Sequence, residues 1–160
     1  TSVIDYCNEK GIPTAVDPKQ KNFLAYKNCT LFKPNLKEVK EGLKITIGDI
    51  TVQNMNKVHT ALNESLQNAI SFITLSEHGV YFSDGEAQKL IPTHIRNISD
   101  VSGAGDTVIA VASLVYASSK NMLFAAEISN IAGGMVCELV GTAPINKNDL
   151  AAEVVKLLTK

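Results

Sequence analysis

The run Asp100-Val101-Ser102-Gly103-Ala104-Gly105-Asp106-Thr107 holds the residue types best suited to chemistry. Glycines let backbone N–H groups turn inward toward one point, and a helix that starts there adds its positive end, so the run forms an anion hole. Asp106 falls beside that hole, in the first turn of the helix. A carboxylate so placed accepts a hydroxyl proton while the hole stabilises charge on a transferring phosphoryl group. A lone Gly-x-Gly reads more simply as a tight turn, with Asp106 as a cap; the full eight-residue string is far more specific. A dinucleotide fingerprint fails because Val108 stands where a third Gly belongs. A Walker-type loop fails because no Gly-Lys-Ser/Thr follows.

Two other short runs carry polar groups at the ends of apolar segments. In Asn35-Leu36-Lys37-Glu38, Asn35 caps a helix and Glu38 is its capping-box partner, which taken alone is a purely structural arrangement. Thr74-Leu75-Ser76-Glu77-His78-Gly79 follows a near-continuous apolar run. Asp17-Pro18 reads as a strand-ending turn. His59, His78 and His94 share no ligand spacing and read as surface or loop residues. Cys29 and Cys137 read as core filling, and Asp5 with Glu9 as a solvated helix face.

The elements that must position these residues alternate between strand and helix. Val3, Ile4 and Cys7 recur at helical spacing, with Gly11 as a stop. Thr14 to Val16 and Thr30 to Lys33 read as strands, closed by Asp17-Pro18 and Pro34. A helix follows Asn35 with Leu36, Val39 and Leu43 on one face. Asn54 to Asn68 is a second helix, with Met55, Val58, Leu62 and Leu66 aligned. Ala69 to Leu75 is apolar enough for a strand covered on both faces. Val80 to Phe82 and Ala87 to Ile91 form a hairpin about Ser83-Asp84-Gly85. Thr107 to Ser118 is apolar almost all round and predicts a buried helix; Ala125 to Leu139 and Asp149 to Leu158 predict two more. The pattern implies a layered α/β sheet with ligands beyond the carboxyl ends of its strands.

Composition narrows the function classes. The 160 residues are 45% hydrophobic and 19% charged, which predicts a folded chain of one domain's size. Fifteen Lys and Arg against sixteen Asp and Glu leave no basic excess for a nucleic acid or a membrane surface. No Trp and 6% aromatics argue against a base-stacking platform. Three cysteines at long spacings argue against a disulfide framework or zinc site and for a reducing compartment. No apolar run reaches the roughly 18 residues of a membrane span. The start has no basic region, signal core or initiator Met, so an excised or processed chain in the cytoplasm is expected.

With these motifs on the page, the sequence resembles the PfkB/ribokinase family of sugar kinases. Asp100 to Asp106 resembles its C-terminal signature, Asn35-Leu36-Lys37-Glu38 its Asn-x-x-Glu motif, and Thr74 to Gly79 its nucleotide-site turn. Within the family, Val16 to Lys19, Lys33 to Leu36, Thr74 to Gly79, Asp100 to Ala110 and Glu138 to Ala143 resemble the heptose-7-phosphate kinases of ADP-heptose synthesis. The resemblance implies that Asp106 is the general base and that Gly103, Ala104 and Gly105 offer the anion hole. It implies that Asn35 and Glu38 organise phosphate and Mg2+, Glu38 through water. Thr74, Ser76 and Gly79 would line the ATP site, with Ser76 standing where many relatives have Gly, and Asn130 would border the adenine. Asp100 and Ser102, with the loop near Gly141, resemble a monovalent-cation site, K+ in some members.

The resemblance runs over residues 1–160 but matches only the C-terminal, nucleotide-binding half of such a kinase. It implies an incomplete ribokinase-like α/β/α sheet that lacks the N-terminal half and the lid. An exposed strand edge and apolar face are then expected to drive self-association. The partners implied are ATP and a sugar phosphate. The expected parent reaction phosphorylates heptose 7-phosphate at the anomeric hydroxyl, for lipopolysaccharide precursors, and the isolated half should be poorly active or inactive. Kinases of ribose, fructose or a nucleoside remain open, as does a non-catalytic nucleotide-binding module.

Overall fold

The computed structural model describes residues 2–94 and 96–159. It divides into two compact units, residues 1–90 and 91–160. The first carries a sheet in the order β1 (Ala15–Val16), β2 (Leu31–Phe32), β3 (Ile70–Thr74), β4 (Val80–Ser83), β5 (Gln88–Ile91). β1, β2 and β3 are parallel, with Ala15 opposite Leu31 and Leu31 opposite Ile70. β4 returns antiparallel to β3, pairing Phe72 with Phe82 and Ile73 with Tyr81. Every residue of β4, and all of β3 except Thr74, is buried, as the continuous apolar run requires. β1 is the outermost strand on its side.

Helices α1 (Val3–Glu9), α2 (Leu36–Leu43) and α3 (Val52–Leu66) complete this unit. α3 starts two residues earlier than the apolar pattern implies, because the Thr51 side chain accepts from the Asn54 amide as its cap. Its Met55, Val58, Leu62 and Leu66 join Phe32, Val39, Ile73 and Tyr81 in one core cluster. Phe23, on a 3-10 turn at Gln20–Ala25 that the sequence pattern does not announce, enters the same core. Its ring stands edge-on to Phe32 at 5.2 Å. His59 is a correction: it is buried, with Nδ1 2.9 Å from Ser71 Oγ, which also accepts from Asn68.

The second unit holds α4 (Ala104–Ser119), α5 (Met122–Cys137) and α6 (Lys147–Leu158). α4 and α5 form a tight helical pair joined through Lys120 and the Asn121 cap. A Cβ at Gly133 of α5 would lie 2.6 Å from Val108 Cγ2, so only glycine permits this approach. Two expectations for α4 are corrected. It begins at Ala104 rather than Thr107, because Gly103 turns the chain at φ +78° and the residues after it are already helical. Nor is it buried all round: only Val108 and Ala112 are, and Leu114 is 72% exposed. Asp106, Ala110, Leu114 and Ala117 are all exposed at helical spacing, so the face that carries the acid is open along its length.

Candidate active site

In the first unit the two polar motifs sit at the carboxyl ends of neighbouring strands. Asn35, just beyond β2, and Thr74, the last residue of β3, form a parallel bridge, and the Thr74 amide donates to the Pro34 carbonyl at 3.1 Å. The capping box is complete. Asn35 Oδ1 accepts from the Glu38 amide at 2.9 Å, and Glu38 Oε2 accepts from the Asn35 amide at 2.7 Å. The cap thereby fixes the Glu38 carboxylate beside the strand ends.

The Thr74 to Gly79 turn is strained where the nucleotide-site resemblance falls. Ser76 has φ +54°, a left-handed conformation unusual for serine, and Gly79 has φ +88° and ψ -129°, which is glycine territory. The Leu75 amide closes the turn on the Gly79 carbonyl at 2.8 Å.

One feature of this end was missed from the sequence. Lys33, only 3% exposed, pairs with Asp17 at 3.0 Å, and Asp17 is 27% exposed. The strand-ending Asp17 is thus the counter-ion of a buried ammonium two residues before Asn35. The signal available was a Lys inside an apolar strand pattern, which needs a partner.

The second unit holds the Gly-rich run. Asp100 Oδ1 accepts from the Ser102 amide at 2.9 Å and hydroxyl at 2.8 Å, and Oδ2 accepts from the Gly141 amide at 3.0 Å. The donors from Ser102, then Gly141, hold its carboxyl below the ordinary aspartate range. Gly103 then starts α4 without any side-chain cap. The other α-helices all receive a side-chain oxygen at the N-terminus, from Ser2, Asn35, Thr51, Asn121 and Asn146. Ala104, Gly105 and Asp106 make up the first turn, with Asp106 exposed beside the positive end of the helix. Thr142 lies against Gly103, where a Cβ would come 3.1 Å from Thr142 Cγ2. Asn130, 8% exposed in mid-α5, donates its side-chain amide to the Pro92 carbonyl at 2.9 Å.

The predicted residues therefore fall into two groups. Asn35, Glu38, Thr74, Ser76 and Gly79 gather in the first unit; Asp100, Ser102, Gly103, Ala104, Gly105, Asp106 and Asn130 belong to the second. Among the described residues no group of three or more His, Cys, Asp and Glu side chains forms a metal cage. Of the Glu38 carboxylate, Oε2 serves the cap; among the described residues Oε1 makes no hydrogen bond. Among the described residues, no helix is long and apolar enough to cross a membrane.

The first unit is thus an α/β sheet with polar motifs at its strand ends, and the second opens a helix without a side-chain cap beside an acid. The chain belongs to the pfkB family of carbohydrate kinases, whose model matches residues 1–149. It is 36% identical over 148 residues to the bifunctional protein HldE of Sulfurimonas denitrificans and 37% identical over 148 residues to that of Helicobacter hepaticus. In both cases 92% of this chain is matched, yet it spans only 30% of the relative's length. Its fold is ribokinase-like. Phosphofructokinase-2 from Escherichia coli, in a structure with potassium, superposes with a TM-score of 0.84 at 20% identity. That match covers 98% of this chain and 51% of the other. Ribokinase from Thermotoga maritima superposes at 0.69 with 18% identity, over 92% of this chain and 50% of that one.

Proposed function

We propose that this chain is the nucleotide-binding, catalytic-base half of an ATP-dependent sugar kinase. The observation that carries the reading is the uncapped start of α4, with Asp106 exposed in its first turn. Amides left without a side-chain cap are available to an anion. In the proposed step the acceptor hydroxyl gives its proton to Asp106 and its oxygen bonds to the γ-phosphorus. The bond to the β–γ bridging oxygen breaks and ADP leaves. The amides of Gly103, Ala104 and Gly105 hold charge on the migrating group, with Ala104 giving up its 3.3 Å bond to the Val101 carbonyl. Asn35 and Glu38 orient phosphate and Mg2+, and the metal supplies charge neutralisation on the phosphates. Thr74, Ser76 and Gly79 offer backbone to the nucleotide, and Asn130 on α5 is assigned to the adenine border. Asp100 and Ser102, with the loop near Gly141, would hold a K+ ion, which would supply positive charge beside the loop.

The acceptor we assign is D-glycero-β-D-manno-heptose 7-phosphate, converted to the 1,7-bisphosphate in the cytoplasm for ADP-heptose and lipopolysaccharide synthesis. The likeness to the HldE proteins and the motif stretches quoted above support it. The chain spans about half the length of the solved relatives it matches, and turnover by these 160 residues alone is expected to be weak or absent. Its outermost strand β1 and the open face of α4 are the surfaces expected to self-associate.

The test is a substrate panel, read as ADP release, on the 160-residue chain with and without the N-terminal half of an HldE kinase region. The reading expects heptose 7-phosphate to be preferred in the complemented sample and little release without complementation. Preference for ribose, fructose or a nucleoside moves the assignment to another kinase of the family. Nucleotide binding with no transfer in any sample favours a binding module.

A further inference from the structure

The loop that closes against the start of α4 is poorly anchored by burial. Val140 is 86% exposed and Leu139 is exposed too. Polar ties fix the loop instead. The Ser99 and Asp100 amides donate to the Cys137 carbonyl at 2.8 and 3.2 Å, Asp100 receives the Gly141 amide, and Thr142 rests on Gly103. At the root of the loop, Arg96 Nη1 donates to Glu138 Oε2 at 2.8 Å and Nη2 to Glu153 Oε1 at 2.9 Å. One guanidinium thus clamps the C-cap of α5 to α6.

Two details show that this clamp is built for position. Arg96 is 8% exposed, and among the described residues its buried Nε has no hydrogen-bond partner. The side chain is placed for its two carboxylates rather than for full satisfaction of its donors. α5 also makes room for it: a Cβ at Gly134 would stand 2.9 Å from Nε and 3.0 Å from Cδ. A mid-helix glycine disfavours the helix, so its presence under Arg96 marks a close approach that an alanine Cβ would crowd, shifting the Arg96 side chain.

We propose that Arg96 is a positioning residue for the start of α4: through Glu138 and Glu153 it sets Gly141 and Thr142 against Asp100 and Gly103. The proposal rests on the reading of that helix start as the phosphate site. Arg96 itself touches no reacting group. It fixes the loop that holds Gly103, and so the aim of the amides that follow.

The experiment compares the 160-residue chain with its Arg96→Lys and Gly134→Ala variants by amide hydrogen exchange and by Mg·ADP titration. Lysine keeps the charge but loses the fork; alanine keeps Arg96 and both glutamates but displaces the guanidinium. In both variants the amides of Gly141 and Ser102 should exchange about tenfold faster while those of Ala112 and Ala132 keep their protection. Mg·ADP affinity should fall several-fold in parallel. A merely structural Arg96 would lower protection at Ala132 and Gly141 together and leave Gly134→Ala unaffected. Either that pattern or unchanged exchange at Gly141 in both variants overturns the proposal. If the unaltered chain does not bind Mg·ADP, the phosphate-site reading fails, and the exchange pattern alone decides the role of Arg96.

Discussion

Replacing Asp17 with Asn isolates the contribution of its pairing with Lys33. The substitution preserves shape and leaves an ammonium that is 3% exposed without a charged partner. Stranding one member of a fully buried pair costs about 3–5 kcal/mol, whereas exposed pairs contribute about 0–1 kcal/mol. Asp17 is 27% exposed, so water reaches its side of the pair and the expected cost lies between these limits, at about 2 kcal/mol. Lys33→Met removes the buried charge itself and fills similar volume, so it should cost less than about 1 kcal/mol. Asp17→Asn combined with Lys33→Met should then be more stable than Asp17→Asn alone. Thermal unfolding reads this as a drop of about 4–8 °C for Asp17→Asn at this chain length, largely recovered in the double variant. A loss below about 0.5 kcal/mol for Asp17→Asn, or a larger loss for Lys33→Met, would refute the claim that Lys33 is a buried cation dependent on Asp17.

Other substitutions probe the same frame. Ser76→Gly relieves a left-handed serine worth about 1–2 kcal/mol but loosens the unfolded chain by about 0.5–1 kcal/mol, so denaturant titration should show it neutral to slightly stabilised. Gly79→Ala, at φ +88° and ψ -129°, should instead lose about 1–3 kcal/mol in the same titration. Gly42→Ala drives a Cβ to 2.2 Å from the buried Phe23 ring and should destabilise by about 1–3 kcal/mol despite the better helix former. Burial holds the His59 imidazole below its ordinary pKa of about 6.5, against a smaller upward pull from Asp84. The fold therefore prefers it neutral: stability is full above about pH 6.5 and declines as the pH falls toward its folded value. His59→Gln should flatten that slope in thermal melts taken from pH 7.5 to 5.5.

Local chemistry explains which parts of this architecture were legible in the sequence. Asn35 and Glu38 at the capping-box spacing announced both the start of α2 and the position of the carboxylate. The aligned Met55, Val58, Leu62 and Leu66 announced α3, and the apolar run from Ala69 announced β3. The Asn35 and Thr74 motifs therefore lie at strand ends, whereas the Asp100 run leads into α4 from a loop. The start of α4 was placed three residues late because Gly103-Ala104-Gly105 has the composition of a loop. One left-handed glycine was enough to let Ala104 and Gly105 enter the helix. The burial of His59 and the Asp17–Lys33 pair escaped because each depends on a partner distant in sequence, Ser71 in one case and a neighbouring strand in the other. Periodicity cannot show such partners. The exposure of Leu114 escaped for the opposite reason: an apolar helix predicts burial, and nothing in its own residues tells whether the covering surface belongs to the chain.

The most direct test of the account is a titration of the isotope-labelled chain with Mg·ATP analogue, wild type against Asp106→Asn, followed residue by residue through the backbone amides. The account predicts the largest shifts at Gly103 to Thr107. It also predicts that Asp106→Asn binds as tightly or more tightly, because a negative charge beside the phosphate has gone, while ADP release in the complemented sample is lost. Shifts that bypass this helix start, or a variant that loses binding yet keeps transfer, would contradict it.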